Sequence, residues 1–242
     1  MARPSRAHER RADLVAAARR AVVGRGVLDL RLRDVAEEAE MSSGSVLYYF
    51  PTLDDLLREV QREAVERFCA GREEAVRGEP DPLRRLAAMV RSGLPTGPGD
   101  ELCVLLYELG TIARRDVSYA AEHIRLYERQ VGIYAGILDT GAATGAFTLT
   151  RDASTIARNL VALEDGYGLH IVMAAPTLDA ARAARLLLAA AADATGLTLE
   201  ALESAAPAAP PETAAPAVPR EAAAPPRGAV PPQARHDPEG DR

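Results

Sequence analysis

Residues 31–57 read RLRDVAEEAEMSSGSVLYYFPTLDDLL. Val35, Ala36 and Ala39 set an apolar stripe at helical spacing on a first short helix. Val46 and Phe50 do the same on a second, with Leu47 alongside. Between them Glu40-Met41-Ser42 makes a three-residue break, and Ser42 or Ser43 is free to cap the second helix. A short helix, a tight turn and another short helix form a helix-turn-helix. The outer side of the second helix then carries Ser43, Ser45, Tyr48 and Tyr49. Hydroxyls and a tyrosine pair suit contact with base edges, thymine methyls and phosphates, so this helix reads as a DNA recognition helix.

Working outward, Phe50-Pro51-Thr52 is a sharp corner. Pro51 blocks helix continuation, and Thr52 caps the next helix with Asp55 three residues on. From there Leu56, Leu57, Val60, Ala64 and Phe68 indicate one long amphipathic helix to about Arg77. Upstream, residues 5–23 form a first helix with Leu14, Ala18 and Val22 on its buried side, ended by Gly24 and Gly26.

The ordered series Leu32, Val35, Ala36, then Ala39, Met41, Ser42, then Gly44, Val46, Tyr49, Phe50, then Asp54 and Leu56 resembles the DNA-binding segment of TetR-family transcriptional regulators. With the preceding helix, the resemblance covers roughly residues 8–68. It implies a DNA-binding domain over residues 5–51, with the helix-turn-helix at 31–50. A helical effector-binding and dimerisation domain is expected over residues 52–200. Four positions depart from the family pattern. Arg31 stands where a capping Thr is usual. Glu40 replaces the Gly of the turn, where a positive φ is expected at a cost of about 1 kcal/mol. Leu47 and Leu53 stand where the family carries a Tyr and a Lys that touch phosphates.

The resemblance assigns Arg31, Arg33, Ser42, Ser43, Ser45, Tyr48, Tyr49 and Thr52 to DNA. Residues 42–45 are expected at base edges, and Tyr49 with Thr52 at phosphates. The rival reading is a helical ligand-binding or interaction protein that has lost DNA binding, for which Leu47 and Leu53 are the best support.

Charge supports the first reading by its distribution rather than its sum. The chain has 242 residues, 29 basic and 35 acidic, for a net charge of −6. Residues 1–33 nevertheless hold nine Arg against Glu9, Asp13 and Asp29. That basic face suits a phosphate-contacting arm. All the basic residues are Arg, which reads as base composition of the genome rather than as function.

Past the long helix, Gly78 to Pro82 breaks the chain, with Asp81 as cap and Pro82 at the first helical position. Further helices are expected to about Leu94, over residues 100–115, 118–143 and 151–174, and from Leu178 to Thr195 behind a Thr177 cap. With no strand alternation, the fold class is all-α: a three-helix DNA-binding domain plus a helical effector and dimerisation domain. Leu160, Val161, Leu163, Leu169, Ile171 and Val172 exceed what one face against one core would carry. The segment LVALEDGYGLH, residues 160–170, resembles the eighth helix of the choline/betaine-repressor branch of the family. That resemblance implies a homodimer through residues 151–196, and Gly166 and Gly168 would then mark a crossing of two helices. An intramolecular core is the alternative.

Tyr107, Glu108, Tyr119, His123, Tyr127 and Tyr134 are the candidate effector contacts, since tyrosine offers an apolar wall with a polar tip. Ordinary helix packing is the other reading of each. The effector is an unidentified small molecule. No phosphate loop, nucleophile elbow or paired-glycine fingerprint occurs, the four histidines lack metal-ligand spacing, and Cys69 and Cys103 suggest neither disulfide nor metal. The chain is therefore read as a non-enzyme without cofactor or metal. It is also expected to be cytoplasmic and without membrane association, because no signal peptide or membrane span is evident. Residues 205–242 hold ten of the 17 prolines and few large apolar groups. This segment reads as a disordered Pro/Ala-rich tail, and truncation after Gly196 or Ser204 is expected to leave folding intact.

Overall fold

Small oxygen-bearing side chains punctuate this sequence wherever an apolar helical period begins, and in the structure they do the capping. The computed structural model describes residues 6–205. Among the described residues there are ten helices and no strand. They are α1 (Arg6–Arg25), α2 (Leu32–Glu38), α3 (Ser43–Tyr49), α4 (Leu53–Val76) and α5 (Pro82–Ser92), then α6 (Glu101–Gly110), α7 (Val117–Ala143), α8 (Ala153–Val172), α9 (Ala180–Thr195) and α10 (Leu199–Ala205).

Ser42 accepts from the Ser45 amide at the start of α3 at 3.1 Å, and Thr52 from the Asp55 amide at the start of α4 at 3.0 Å. Asp81, Asp100, Asp116, Asp152 and Asp179 each accept from the first turn of the helix that follows. Each such bond satisfies one of the amides that a helix start leaves without an intrahelical partner. At α2 the device is inverted. Arg31 precedes the helix, and the Asp34 carboxylate reaches back to accept from the Arg31 amide at 2.7 Å.

Two buried clusters result, and α4 runs through both. The first packs Leu14, Ala18 and Val22 of α1 against Val35, Val46, Phe50 and the Leu56, Leu57 and Val60 face of α4. Leu105 and Leu109 of α6 and Tyr119 of α7 close it from the other side. The second gathers Leu86 and Met89 of α5, Tyr134, Ile137 and Leu138 of α7, Ile156, Leu160 and Val161 of α8, and Leu187 and Leu188 of α9. Val76, at the end of α4, also belongs to it. Cys69 and Val65 sit between the two with Leu126.

Glu40 has a φ of 53°, so the turn of the helix-turn-helix does adopt the left-handed conformation with a side chain attached. The Met41 amide, donating to the Ala36 carbonyl at 2.8 Å, closes that turn.

Several sequence-based expectations are corrected. The helix after Asp100 stops at Gly110 and gives way to turns through residue 115. The ninth helix starts at Ala180 behind Asp179, not Thr177, because Asp179 Oδ1 accepts from the Arg182 amide at 2.7 Å. Gly168 serves a close approach within one chain. A Cβ there would lie 2.3 Å from Tyr107 Oη, so it permits the approach of α6 to α8 within one chain. Gly166 lies on the exposed side of α8.

The chain also continues past Gly196 into α10, which the sequence reading missed. Leu202 is fully buried there in the cluster of α5, α7, α8 and α9. Truncation after Gly196 therefore removes core. The expected disordered tail lies outside the described residues, apart from Ala205.

A chain ended after Gly196 is expected to melt at a clearly lower temperature than the full chain. Leu202→Ala is expected to cost about 2–5 kcal/mol, and a denaturant titration of both variants checks this. A midpoint unchanged in either would show that α10 contributes nothing to the core.

Candidate nucleic-acid interface and effector domain

The short α3 is positioned by its buried side. Val46 and Phe50 are 0% and 1% exposed, while Tyr48 is 83% exposed. Arg11 of α1 stacks its guanidinium over the Phe50 ring at 4.1 Å. The same group donates to the Tyr49 carbonyl at 2.5 Å, satisfying an acceptor at the C-terminal end of α3. Arg20 of α1 ties to Glu38 of α2 at 2.6 Å. The recognition helix is thus clamped from behind, and its outer side faces water.

That outer side is a shallow depression lined by Met41, Ser42, Gly44, Ser45, Tyr48 and Tyr49. Tyr48 and Tyr49 pack edge to face with centroids 5.1 Å apart, leaving the Tyr48 ring free on its outer side. Ser42 and Ser45 share a hydroxyl–hydroxyl bond of 2.9 Å. One of the two protons is engaged there, so a base acceptor has to compete with a neighbour for it. Ser43 is half-buried, and Arg31, just before α2, and Arg33, on it, are exposed. The Thr52 hydroxyl donates to Asp55 Oδ2 at 2.7 Å. That bond, chiefly, holds the Asp55 carboxyl below the ordinary aspartate range. A phosphate contact by the Thr52 hydroxyl would require it to give up this proton bond.

At the far end of α4 the chain buries a charge. Arg72 is 1% exposed and Glu164 of α8 is 2% exposed. Their side chains meet at 2.9 Å. Arg72 also donates to Gln130 of α7 at 3.1 Å and to the Met89 carbonyl of α5 at 3.4 Å. The Tyr134 hydroxyl donates to Glu164 at 2.5 Å, and the rings of Phe68 and Tyr134 lie 5.5 and 5.4 Å from the guanidinium carbon. Burial pushes the Glu164 carboxyl upward, and the guanidinium opposes that shift. A Cβ at Gly93 would fall 2.0 Å from Arg72 and 2.3 Å from Glu164, so only glycine fits beside the pair.

Residues 14–60 match the family model described as bacterial regulatory proteins, tetR family. Residues 82–196 match the model of the C-terminal domain of BetI-type transcriptional repressors. The chain belongs to the TetR family of transcriptional regulators. It combines a helix-turn-helix DNA-binding domain with a ligand-binding domain.

Solved structures agree with this placement. A regulator from Rhodococcus sp. assigned to the TetR family is 26% identical, with a TM-score of 0.67 over 77% of this chain and 98% of its own. A transcriptional regulator from Saccharomonospora viridis, in complex with choline, is 25% identical, with a TM-score of 0.69 over 74% of this chain and 93% of its own. A TetR transcription regulator from Haloarcula marismortui ATCC 43049 is 25% identical, with a TM-score of 0.67 over 77% and 96%. No curated protein matches the chain.

In this TetR-family regulator the candidate DNA residues fall on α2 and α3 and at the N-caps of α2, α3 and α4. The six candidate effector residues do not share a single recess. Glu108 accepts from the Val27 amide of the α1–α2 connection at 2.9 Å. Tyr119 is fully buried in the DNA-binding cluster, where its hydroxyl donates to Asp54 Oδ1 at 3.1 Å. Tyr134 belongs to the buried ion pair. Tyr127 lies under Arg158, whose guanidinium also donates to its hydroxyl at 3.3 Å. Tyr107 donates to the Asp165 carbonyl at 3.3 Å, and His123 is exposed on α7.

Arg11 and Arg72 were missed as individual residues by the sequence reading. Both look like ordinary solvated arginines, although Arg72 lies four residues beyond Phe68 on the apolar period of α4. No helix among the described residues is long and apolar enough to cross a membrane.

Arg72→Ala leaves Glu164 buried without its partner and is expected to cost about 3–5 kcal/mol. The paired replacement Arg72→Met with Glu164→Leu should recover most of that loss. A double-mutant cycle by urea unfolding decides the matter, and simple additivity of the two single changes would contradict a direct pair.

Proposed function

We propose that this TetR-family regulator is a homodimeric repressor that leaves a pseudo-palindromic operator when a small molecule binds. The observation that carries the reading is the two-sidedness of α3, anchored by Val46 and Phe50 and offering Ser42, Ser45, Tyr48 and Tyr49 outward. In this reading Ser42, Ser43 and Ser45 meet base edges. Arg31, Arg33, Tyr48, Tyr49 and Thr52 meet the sugar–phosphate backbone or flanking thymines. In this reading the DNA-binding domain spans residues 5–51, and the effector domain begins at residue 52 and runs through the end of α10.

Leu169, Met173 and Leu186 support the dimer. They leave 38%, 68% and 42% of their surface uncovered on α8, just past its end and on α9. A second copy of the α8–α9 pair would cover them. Two-fold symmetry then sets half-site centres about 34–36 Å apart. The choline complex of the Saccharomonospora viridis regulator supports a small-molecule effector, without fixing its identity here. We read the protein as acting in the cytoplasm, as a regulator and not as an enzyme.

Capture of sheared genomic DNA should enrich a pseudo-palindromic sequence. Enrichment no better than a non-binding control would favour the rival reading, for which the 43% exposure of Leu47 is the pertinent observation. On the captured operator, Arg33→Ala should weaken every sequence alike and reduce the slope of log affinity against log salt by about one. Tyr49→Ala should weaken binding uniformly with the slope unchanged. Ser45→Ala should change sequence preference more than affinity. Equal loss of discrimination in all three would show that these roles are misassigned.

A further inference from the structure

Two neighbouring residues of α6 hold two different parts of the protein. The Glu108 carboxylate accepts from the Val27 amide at 2.9 Å. Val27 follows Gly26, whose φ of 77° ends α1, and its side chain is buried in the DNA-binding cluster with Leu30. That turn presents its amide toward α6, and the carboxylate is its acceptor. On the same side of α6, Leu105 and Leu109 are fully buried in that cluster.

Tyr107, one residue earlier, projects about 100° around the helix and reaches α8. Its hydroxyl donates to the Asp165 carbonyl at 3.3 Å. The position of a Cβ on Gly168 would be only 2.3 Å from that oxygen and 3.3 Å from Pro95 Cδ. The approach of α6 to α8 is therefore close enough that a single methyl group would disturb it. Adjacent residues of one short helix share a rigid peptide frame, so displacement of either grip is carried to the other.

We infer that Glu108 is a positioning residue of the DNA-reading head, fixing the α1–α2 connection to α6 while Tyr107 fixes the same helix to α8. The inference rests on the family reading only in taking α1–α3 as the head that meets DNA. It gives Glu108 and Tyr107 a mechanical part in place of effector contact. The position of α8 relative to α6 then bears on the orientation of α2 and α3 by a route separate from α4.

The test is amide hydrogen exchange of Val27 in the full chain, measured by NMR, beside operator affinity. Glu108→Ala should speed Val27 exchange at least tenfold and weaken operator binding severalfold. Glu108→Gln, which keeps an oxygen acceptor, should restore most of both. A change confined to α8, Gly168→Ala, should also speed Val27 exchange, although it touches nothing in the head. Tyr107→Phe, which removes only the hydroxyl, serves if Gly168→Ala does not fold, and the same shift is expected.

Unchanged Val27 exchange in Glu108→Ala would overturn the grip on the head. Unchanged exchange in Tyr107→Phe, or in a folded Gly168→Ala, would overturn the connection to α8. Failure of the wild-type chain to bind any DNA would count against the regulator reading alone, because the exchange measurement needs no operator.

Discussion

The buried pair of Arg72 and Glu164 is the contact through which the effector domain is organised around α4. Two charges taken out of water are costly, and further donors and acceptors around the pair offset part of that cost. Here Gln130 and Tyr134 of α7 and the Met89 carbonyl of α5 supply them, with Arg72 Nε left without a hydrogen-bond partner, so four helices meet at one side chain. The directionality of those bonds fixes the azimuth of α4, which apolar packing alone would leave adjustable. Gly93 completes the constraint by leaving no side chain in the way.

From that fixed end α4 runs into the DNA-binding cluster, where its character changes. The first half presents Leu56, Leu57, Val60 and Ala64 to α1–α3. Polar contacts between this half and the other domain are few and specific. Tyr119 donates to Asp54, and its carbonyl accepts from Gln61 at 3.2 Å. A helix held rigidly at one end and by exchangeable hydrogen bonds at the other is suited to small angular movement. Such movement at the pinned end becomes a larger displacement at α3, about 20 residues or 30 Å of helix away.

Much of this architecture was legible in the sequence because it is written locally. The caps at Ser42, Thr52 and Asp81 are each a few residues long, and periodicity supplied the faces. Glu40 could be placed in the left-handed turn because the family pattern it resembles carries a Gly there. What escaped was non-local. Glu108 and Val27 are 81 residues apart, and Arg72 and Glu164 are 92 residues apart, so neither pairing has a sequence signature. Thr177 and Asp179 are both competent caps two residues apart, and composition could not choose between them. The last helix was lost for a different reason: α10 is only seven residues long and borders a segment rich in alanine and proline. Its single buried leucine carries too little periodicity to announce a helix.

The tyrosines show how far residue type alone misleads about a ligand site. An aromatic ring with a hydroxyl satisfies a cavity wall and a helix junction equally well. Tyr119 and Tyr134 are both fully buried, and each spends its hydroxyl on a carboxylate of another helix, Asp54 and Glu164. The first bond joins the start of α4 to α7, and the second joins α7 to α8 beside Arg72, which makes the two tyrosines parts of the frame. An effector acts on such a frame only through a difference in affinity between its arrangements. Any ligand that loosened Tyr119 from Asp54 would have to replace a partly buried hydrogen bond while leaving Arg72 paired. The pinned end would then hold while the reading end is released, which is the asymmetry a swinging α4 requires.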